Sequence, residues 1–181
     1  MKTLYVLRHA KAERDARSGE DFDRSLDARG RNDAARLGRT LKKTLAAMGA
    51  AWPGLIVSSS SARTVQTVEH LTAEWPKPPE IRTDKKLYLA SASHLLEAVR
   101  ALPDTASGAI LVGHNPGIEE LAIQLANKVA SDALRRMNGD FPTCALATFE
   151  ISTDTWGRTS PDLARLVAFS TPKDLADSAD A

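Results

Sequence analysis

The chain has 181 residues, with 24 Lys+Arg against 23 Asp+Glu, 43% hydrophobic residues and one cysteine. At this length a single domain typically buries roughly 68–75% of its unfolded surface, so neither a metal nor a disulfide is needed to hold it together. A net charge of +1 argues against a surface specialised for nucleic acid or an anionic membrane, and the lone Cys144 builds neither an internal disulfide nor a thiol zinc site.

The apolar stretch Leu4 to Leu7 stops at Arg8 and His9, unlike a signal peptide. Leu45 to Val57 is broken by Gly49, Pro53 and Gly54 and is too short for a bilayer span. A soluble, cytoplasmic protein is expected. Its single domain covers 1–171, and the small, acidic residues 172–181 are expected to fray.

Thr3 to Leu7 reads as a buried strand ending at Arg8-His9, followed by a polar loop from Ala10 to Ser25. Ala34, Leu37, Leu41, Leu45 and Met48 then fall at helical spacing, with Asp27 as N-cap and Gly49 as C-cap. Leu55-Ile56-Val57 predicts a second buried strand, which runs into Ser58 to Ser61 and a helix carrying Val65, Val68 and Leu71. Pro76, Pro78 and Pro79 end that helix and lead to a short strand around Ile81-Arg82-Thr83. Ser91 or Ser93 caps a helix with Leu95, Leu96, Val99 and Leu102.

Ala109 to Val112 predicts the third strong strand, leading into Gly113-His114-Asn115-Pro116. Asn115 is expected as cap and Pro116 as first residue of a helix with Ile118, Leu121, Leu125 and Val129. Cys144 to Ile151 and Ala164 to Phe169 read as strands with no helix between them, separated by the turn-rich Thr153 to Asp162. The alternation predicts an α/β fold with helices on both faces of a sheet that is partly antiparallel.

Ligands of open α/β sheets bind outside the carboxyl ends of the strands. The first strand delivers Arg8 and His9 there, the second the serines and Arg63, the third His114. Arg63 falls in the first turn of its helix, where the macrodipole disfavours a cation unless an anion lies between the two. Two arginines and two histidines on one edge describe a pocket for a dianionic phosphoryl group. A histidine at its centre can be a nucleophile, because imidazole, with an ordinary pKa of ~6.5, is largely neutral near neutrality. The arginines and second histidine supply the positive charge, so no metal or cofactor is called for. His70 and His94 read as helix-surface or structural residues, and Trp52, Trp75 and Trp156 as too scattered for a stacking platform. Cys144 reads as a buried small hydrophobe.

Leu7-Arg8-His9-Ala10, Ser58 to Thr67 and Val112-Gly113-His114-Asn115-Pro116 resemble, in order, three motifs of the histidine phosphatase (phosphoglycerate mutase-like) superfamily. Arg8-His9-Ala10-Lys11-Ala12, Asp23-Arg24-Ser25-Leu26 with Gly30, and Leu87-Tyr88 resemble marks of its SixA-like phosphohistidine phosphatase branch. The resemblance implies a three-layer α/β/α sandwich around a mostly parallel mixed sheet. It implies His9 as phosphorylated nucleophile, with Arg8, Arg63 and His114 holding the phosphoryl oxygens. Arg24 falls where the branch often places another basic pocket residue, a solvated loop arginine being the alternative.

The superfamily glycine after the histidine is Ala10 here, which is typical of this branch. The carboxyl group that many members use to protonate the leaving oxygen has no match in Asp84-Lys85-Lys86-Leu87-Tyr88-Leu89. An alkoxide leaving group needs that proton, worth typically 10²–10⁴-fold in rate. Imidazole leaving from phosphohistidine needs it far less, since its conjugate acid has a pKa of only ~6.5. The expected reaction is metal-independent hydrolysis of phosphohistidine on a protein partner, a phosphotransfer domain or phosphocarrier, through phospho-His9. A small-molecule phosphomonoesterase using Glu13, Asp21 or Asp23 as acid is the first alternative, and a non-catalytic phosphate- or phosphoprotein-binding module the second.

Overall fold

The computed structural model describes residues 1–48, 52–77, 79–126 and 132–177, so the expected roles of Gly49, Pro78 and Val129 lie outside the described residues. The apolar, β-branched runs form β1 (Lys2–Arg8), β2 (Leu55–Ser59), β3 (Glu80–Asp84), β4 (Gly108–Gly113), β5 (Leu146–Ile151) and β6 (Ala164–Ser170). They make one six-stranded sheet in the order β3-β2-β4-β1-β5-β6. The first four in that order run parallel, whereas β5 pairs antiparallel with both β1 and β6. Every residue of β4 is buried, as a central parallel strand covered on both faces requires.

Alternate residues of the central strands feed two separate cores. Tyr5, Leu7, Ile56, Ile110 and Val112 meet the apolar stripe Ala34, Leu37, Leu41 and Leu45 of α1 (Ala28–Met48) and Val68 and Leu71 of α2 (Ala62–Thr72). On the other face Leu4, Val6, Leu55 and Leu111 meet Leu95, Leu96 and Val99 of α3 (Ala92–Arg100) and Ile118, Leu121 and Leu125 of α4 (Gly117–Leu125). Met137 of α5 (Asp132–Gly139) joins this second core. Each such side chain contributes roughly 1.5–3 kcal/mol by leaving water. The architecture is the expected three-layer α/β/α sandwich. No helix among the described residues is long and apolar enough to cross a membrane.

Local signals act largely as the sequence suggests. Asp27 Oδ1 accepts the Gly30 amide at 2.7 Å, and Ser91 Oγ accepts the His94 amide at 3.4 Å, each at a helix start. Four details differ. Pro116, not Asn115, occupies the cap position of α4, whose early amides are taken by the carbonyls of His114 and Pro116. β5 begins at Leu146 because Cys144 adopts φ 62°, which breaks an extended run. Trp52 and Trp75 meet edge to face at 5.3 Å rather than lying apart. The segment expected to fray from Pro172 is helical through Asp177 as α6, because Leu175 finds a place in the core beneath α1.

Candidate active site

The parallel half of the sheet brings the carboxyl ends of β1, β2 and β4 side by side. His9 follows β1, and its amide donates to the Gly113 carbonyl at the end of β4. The Cys144 amide donates to the carbonyls of both Arg8 and His9, so the left-handed turn at Cys144 fastens the His9 backbone from the β5 side. On the α2 side the Ala10 amide donates to Thr67 Oγ1 at 3.0 Å. Gly30 supports the following loop: a Cβ there would stand 2.0 Å from the Lys11 carbonyl oxygen, so no larger residue fits.

His9, Arg63 and His114 are almost wholly buried. The His9 Nδ1 lies 2.7 Å from the Ala10 carbonyl oxygen. A carbonyl only accepts, so Nδ1 carries the proton and Nε2 keeps its lone pair. Burial, then the charges of Arg63, Arg8 and Arg24, lower the His9 pKa to about 4, against the raising effect of the Ala10 bond. The ring is therefore neutral and nucleophilic at neutral pH.

The His114 ring lies 5.1 Å from that of His9, centroid to centroid. Its Nε2 is 2.9 Å from Ser59 Oγ, and that same oxygen accepts the Ser61 amide at 3.3 Å. A serine hydroxyl carries one proton and two lone pairs, so it pairs with Nε2 in either tautomer and leaves Nδ1 as the open ring nitrogen. Burial and the neighbouring His9 and Arg63 lower the His114 pKa to about 3, so its ring is neutral. Nδ1 of His114, Nε of Arg8 and Nε of Arg63 are all buried without a protein partner. Two orphan guanidinium donors and an open ring nitrogen beside one imidazole lone pair suit an oxyanion, since such groups are costly to bury unmet.

The anion that the sequence asks for beside Arg63 is supplied from the loop. Asp21, in a single turn of 3₁₀-helix (Asp21–Asp23), accepts Arg63 Nη1 on its carbonyl at 2.6 Å and Nη2 on its carboxylate at 2.9 Å. Arg24 Nε donates to the other carboxylate oxygen at 2.7 Å, and its Nη1 reaches the Glu13 carbonyl at 3.0 Å. Tyr88 completes the group, donating to Asp21 at 2.5 Å and setting its ring edge-on to His114 at 5.3 Å. The Arg8 Nη1 is anchored on the Phe141 carbonyl at 2.7 Å.

Arg8, His9, Arg63 and His114 thus gather at one point, and Arg24 joins them through Asp21. The Glu13 and Asp23 side chains are exposed and no hydrogen bond ties either to the pocket. Asn115 binds Glu119 and the Phe141 carbonyl instead of capping α4. His94 stands 3.9 Å from Glu97 on the α3 surface. Sequence reasoning gave no site role to Ser59, Tyr88 or the Phe141 carbonyl. Position at the very end of β2 was the available signal for Ser59, and the Leu87-Tyr88 mark for Tyr88. Among the described residues no group of three or more His, Cys, Asp or Glu side chains is placed to hold a metal ion.

Comparison with known proteins bears on the family and the fold. Residues 4–88 match the family model described as "Histidine phosphatase superfamily (branch 1)". An uncharacterised protein of Mycobacterium tuberculosis (strain H37Rv) is 30% identical over 155 residues, covering 84% of this chain and 92% of the relative. The solved structure of a protein from Agrobacterium tumefaciens, provisionally named phosphohistidine phosphatase SixA, is 28% identical with a TM-score of 0.75, covering 94% of this chain and 98% of that one. A provisionally named SixA from Nakamurella multipartitia, 24% identical, shares the fold with a TM-score of 0.79 over 94% of this chain and 96% of its own. This chain belongs to the histidine phosphatase superfamily and is SixA-like.

Proposed function

We propose that the protein is a phosphatase that hydrolyses phosphohistidine on a protein partner, a phosphotransfer domain or phosphocarrier, in the cytoplasm. The His9 Nε2 lone pair attacks phosphorus, the P–N electron pair passes to a substrate ring already protonated on its other nitrogen, neutral imidazole leaves, and phospho-His9 forms. Water then attacks phospho-His9, releasing inorganic phosphate and restoring the free imidazole. Arg8, Arg63 and His114 offer their open donors to the phosphoryl oxygens, where positive charge and hydrogen bonds placed in advance supply most of the acceleration. Arg24 adds charge at the rim. All of this proceeds with the chain's own cations and without a metal.

The observation that carries the reading is the tautomer of His9, fixed by the Ala10 carbonyl, with Nε2 free in a site where Arg8 Nε, Arg63 Nε and His114 Nδ1 are buried and unpartnered. The phosphoramidate preference rests on the other side of the pocket. There the nearest acid, Asp21, is held by Arg63, Arg24 and Tyr88 and so kept ionised, which favours a leaving group that brings its own proton, an imidazole protonated on its other ring nitrogen. The test is a rate comparison between a phosphohistidine peptide and an alkyl phosphate, with acid-free detection of labelled protein. Faster turnover of the peptide and label absent from His9→Ala are expected. A strong preference for the alkyl ester overturns the substrate assignment.

A further inference from the structure

We propose that Asp21 is a positioning residue of the phosphoryl pocket, a permanent carboxylate that clamps the end of the Arg63 guanidinium and braces Arg24 and Tyr88, and not a proton donor. The inference builds on the phosphatase reading above and assigns one further residue to that site.

Both terminal nitrogens of Arg63 are taken by Asp21, one by its carbonyl at 2.6 Å and one by its carboxylate at 2.9 Å. A guanidinium offers an end edge and a side edge for paired bonds. With the end edge held, the side edge carrying Nε, which is buried and unpartnered, is the one left for a phosphoryl oxygen. The charge of Arg63 is 2% exposed, and a buried cation needs a paired anion to be tolerated. Asp21 is that anion, reaching in from a loop across 42 residues of sequence.

The same carboxylate is saturated by donors. Arg24 Nε meets one oxygen at 2.7 Å, and the Tyr88 hydroxyl meets the other at 2.5 Å beside the Arg63 bond. These bonds, led by that of Tyr88, lower its pKa to about 2. A group so held has no proton to give near neutrality, where a general acid must carry one. Tyr88 extends the brace to the second histidine. Arg63 lies over its ring at 5.7 Å, His114 meets it edge-on at 5.3 Å, and Phe22 supports it from outside at 5.0 Å. One carboxylate thereby orients Arg63 directly and His114 through a tyrosine.

Two measurements on Asp21→Asn separate the roles, with circular dichroism to establish folding. Titration with inorganic phosphate is expected to show roughly tenfold weaker binding, because an amide cannot hold the three donors at once. Hydrolysis of aryl phosphates spanning a range of leaving-group pKa is expected to slow by one common factor, the slope staying that of wild type. Phosphate affinity that is unchanged or tighter overturns the proposal. So does a loss that grows with leaving-group pKa, the mark of a missing acid. Should Asp21→Asn not fold, Tyr88→Phe removes one brace and is expected to weaken phosphate binding about threefold with the slope unchanged. The titration decides the positioning role even where no substrate is turned over, a result that would instead sink the phosphatase reading.

Discussion

The rings of His9 and His114 stand 5.1 Å apart at 54°, and burial keeps both neutral. The Ala10 carbonyl takes the His9 Nδ1 proton, and the Ser59 hydroxyl pairs with His114 Nε2.

The low pKa of His9, about 4, makes a direct prediction. Its ring resonances should stay in the neutral position from pH 8 down to 5 in an NMR titration of the free protein. An inflection at the ordinary histidine value of ~6.5 would contradict the burial argument.

The same shifts link protonation to stability. The folded pKa values of His9 and His114, about 4 and about 3, lie below that of an unfolded histidine. The unfolded chain therefore binds protons first as pH falls, and folding weakens between about 6.5 and 3. The thermal midpoint should fall steadily across that window, the two sites together contributing on the order of a few kcal/mol. Replacing His114 by Gln should flatten the fall.

Removing a charged donor tests the pocket from the other side. Arg8→Ala should lower kcat about 100- to 1,000-fold, the range found when one preorganised donor to a developing charge is lost. A steady-state assay on the phosphohistidine peptide measures it, with phosphate affinity falling in parallel.

Ser59→Ala removes the hydroxyl that holds His114 Nε2 and accepts the Ser61 amide. The cost should be about 1 kcal/mol, seen as roughly a fivefold lower kcat with the fold intact. An unchanged rate would mean that the His114 ring is held by other contacts.

Gly117 tests the seating of Tyr88. A Cβ at Gly117 would stand 2.0 Å from the Ala90 carbonyl oxygen, so Gly117→Ala must push the Leu87–Ala90 segment off α4. Destabilisation of about 1–3 kcal/mol is expected by denaturant unfolding, with a loss of activity because Tyr88 moves with that segment.

Much of the site was legible because its chemistry follows buried strands. A run such as Ala109 to Val112 announces both a strand and the place where it ends, so Arg8, His9, Arg63 and His114 could be gathered from the sequence by one topological rule. The rest depends on contacts that no periodicity marks. Asp21 and Tyr88 are 67 residues apart, in a polar loop and after an exposed edge strand, and only the folded chain puts them within 2.5 Å. Asn115 misled for a related reason. Backbone carbonyls already satisfied the α4 amides, which freed its side chain for Glu119 and Phe141. The C-terminal helix was missed because a single apolar residue, Leu175, secures it within a polar segment.

β1, β2 and β4 all present their exits to the pocket, but β5 runs the other way and presents its entrance. An entrance is a turn, and what arrives is main chain: the Phe141 carbonyl on Arg8, and the Cys144 amide under Arg8 and His9. These contacts are indifferent to side-chain identity so long as the turn keeps its shape. Residues 141–145 can therefore be exchanged for others that fill the same space without rewriting the chemistry. The side chains delivered by the parallel strands have no such latitude.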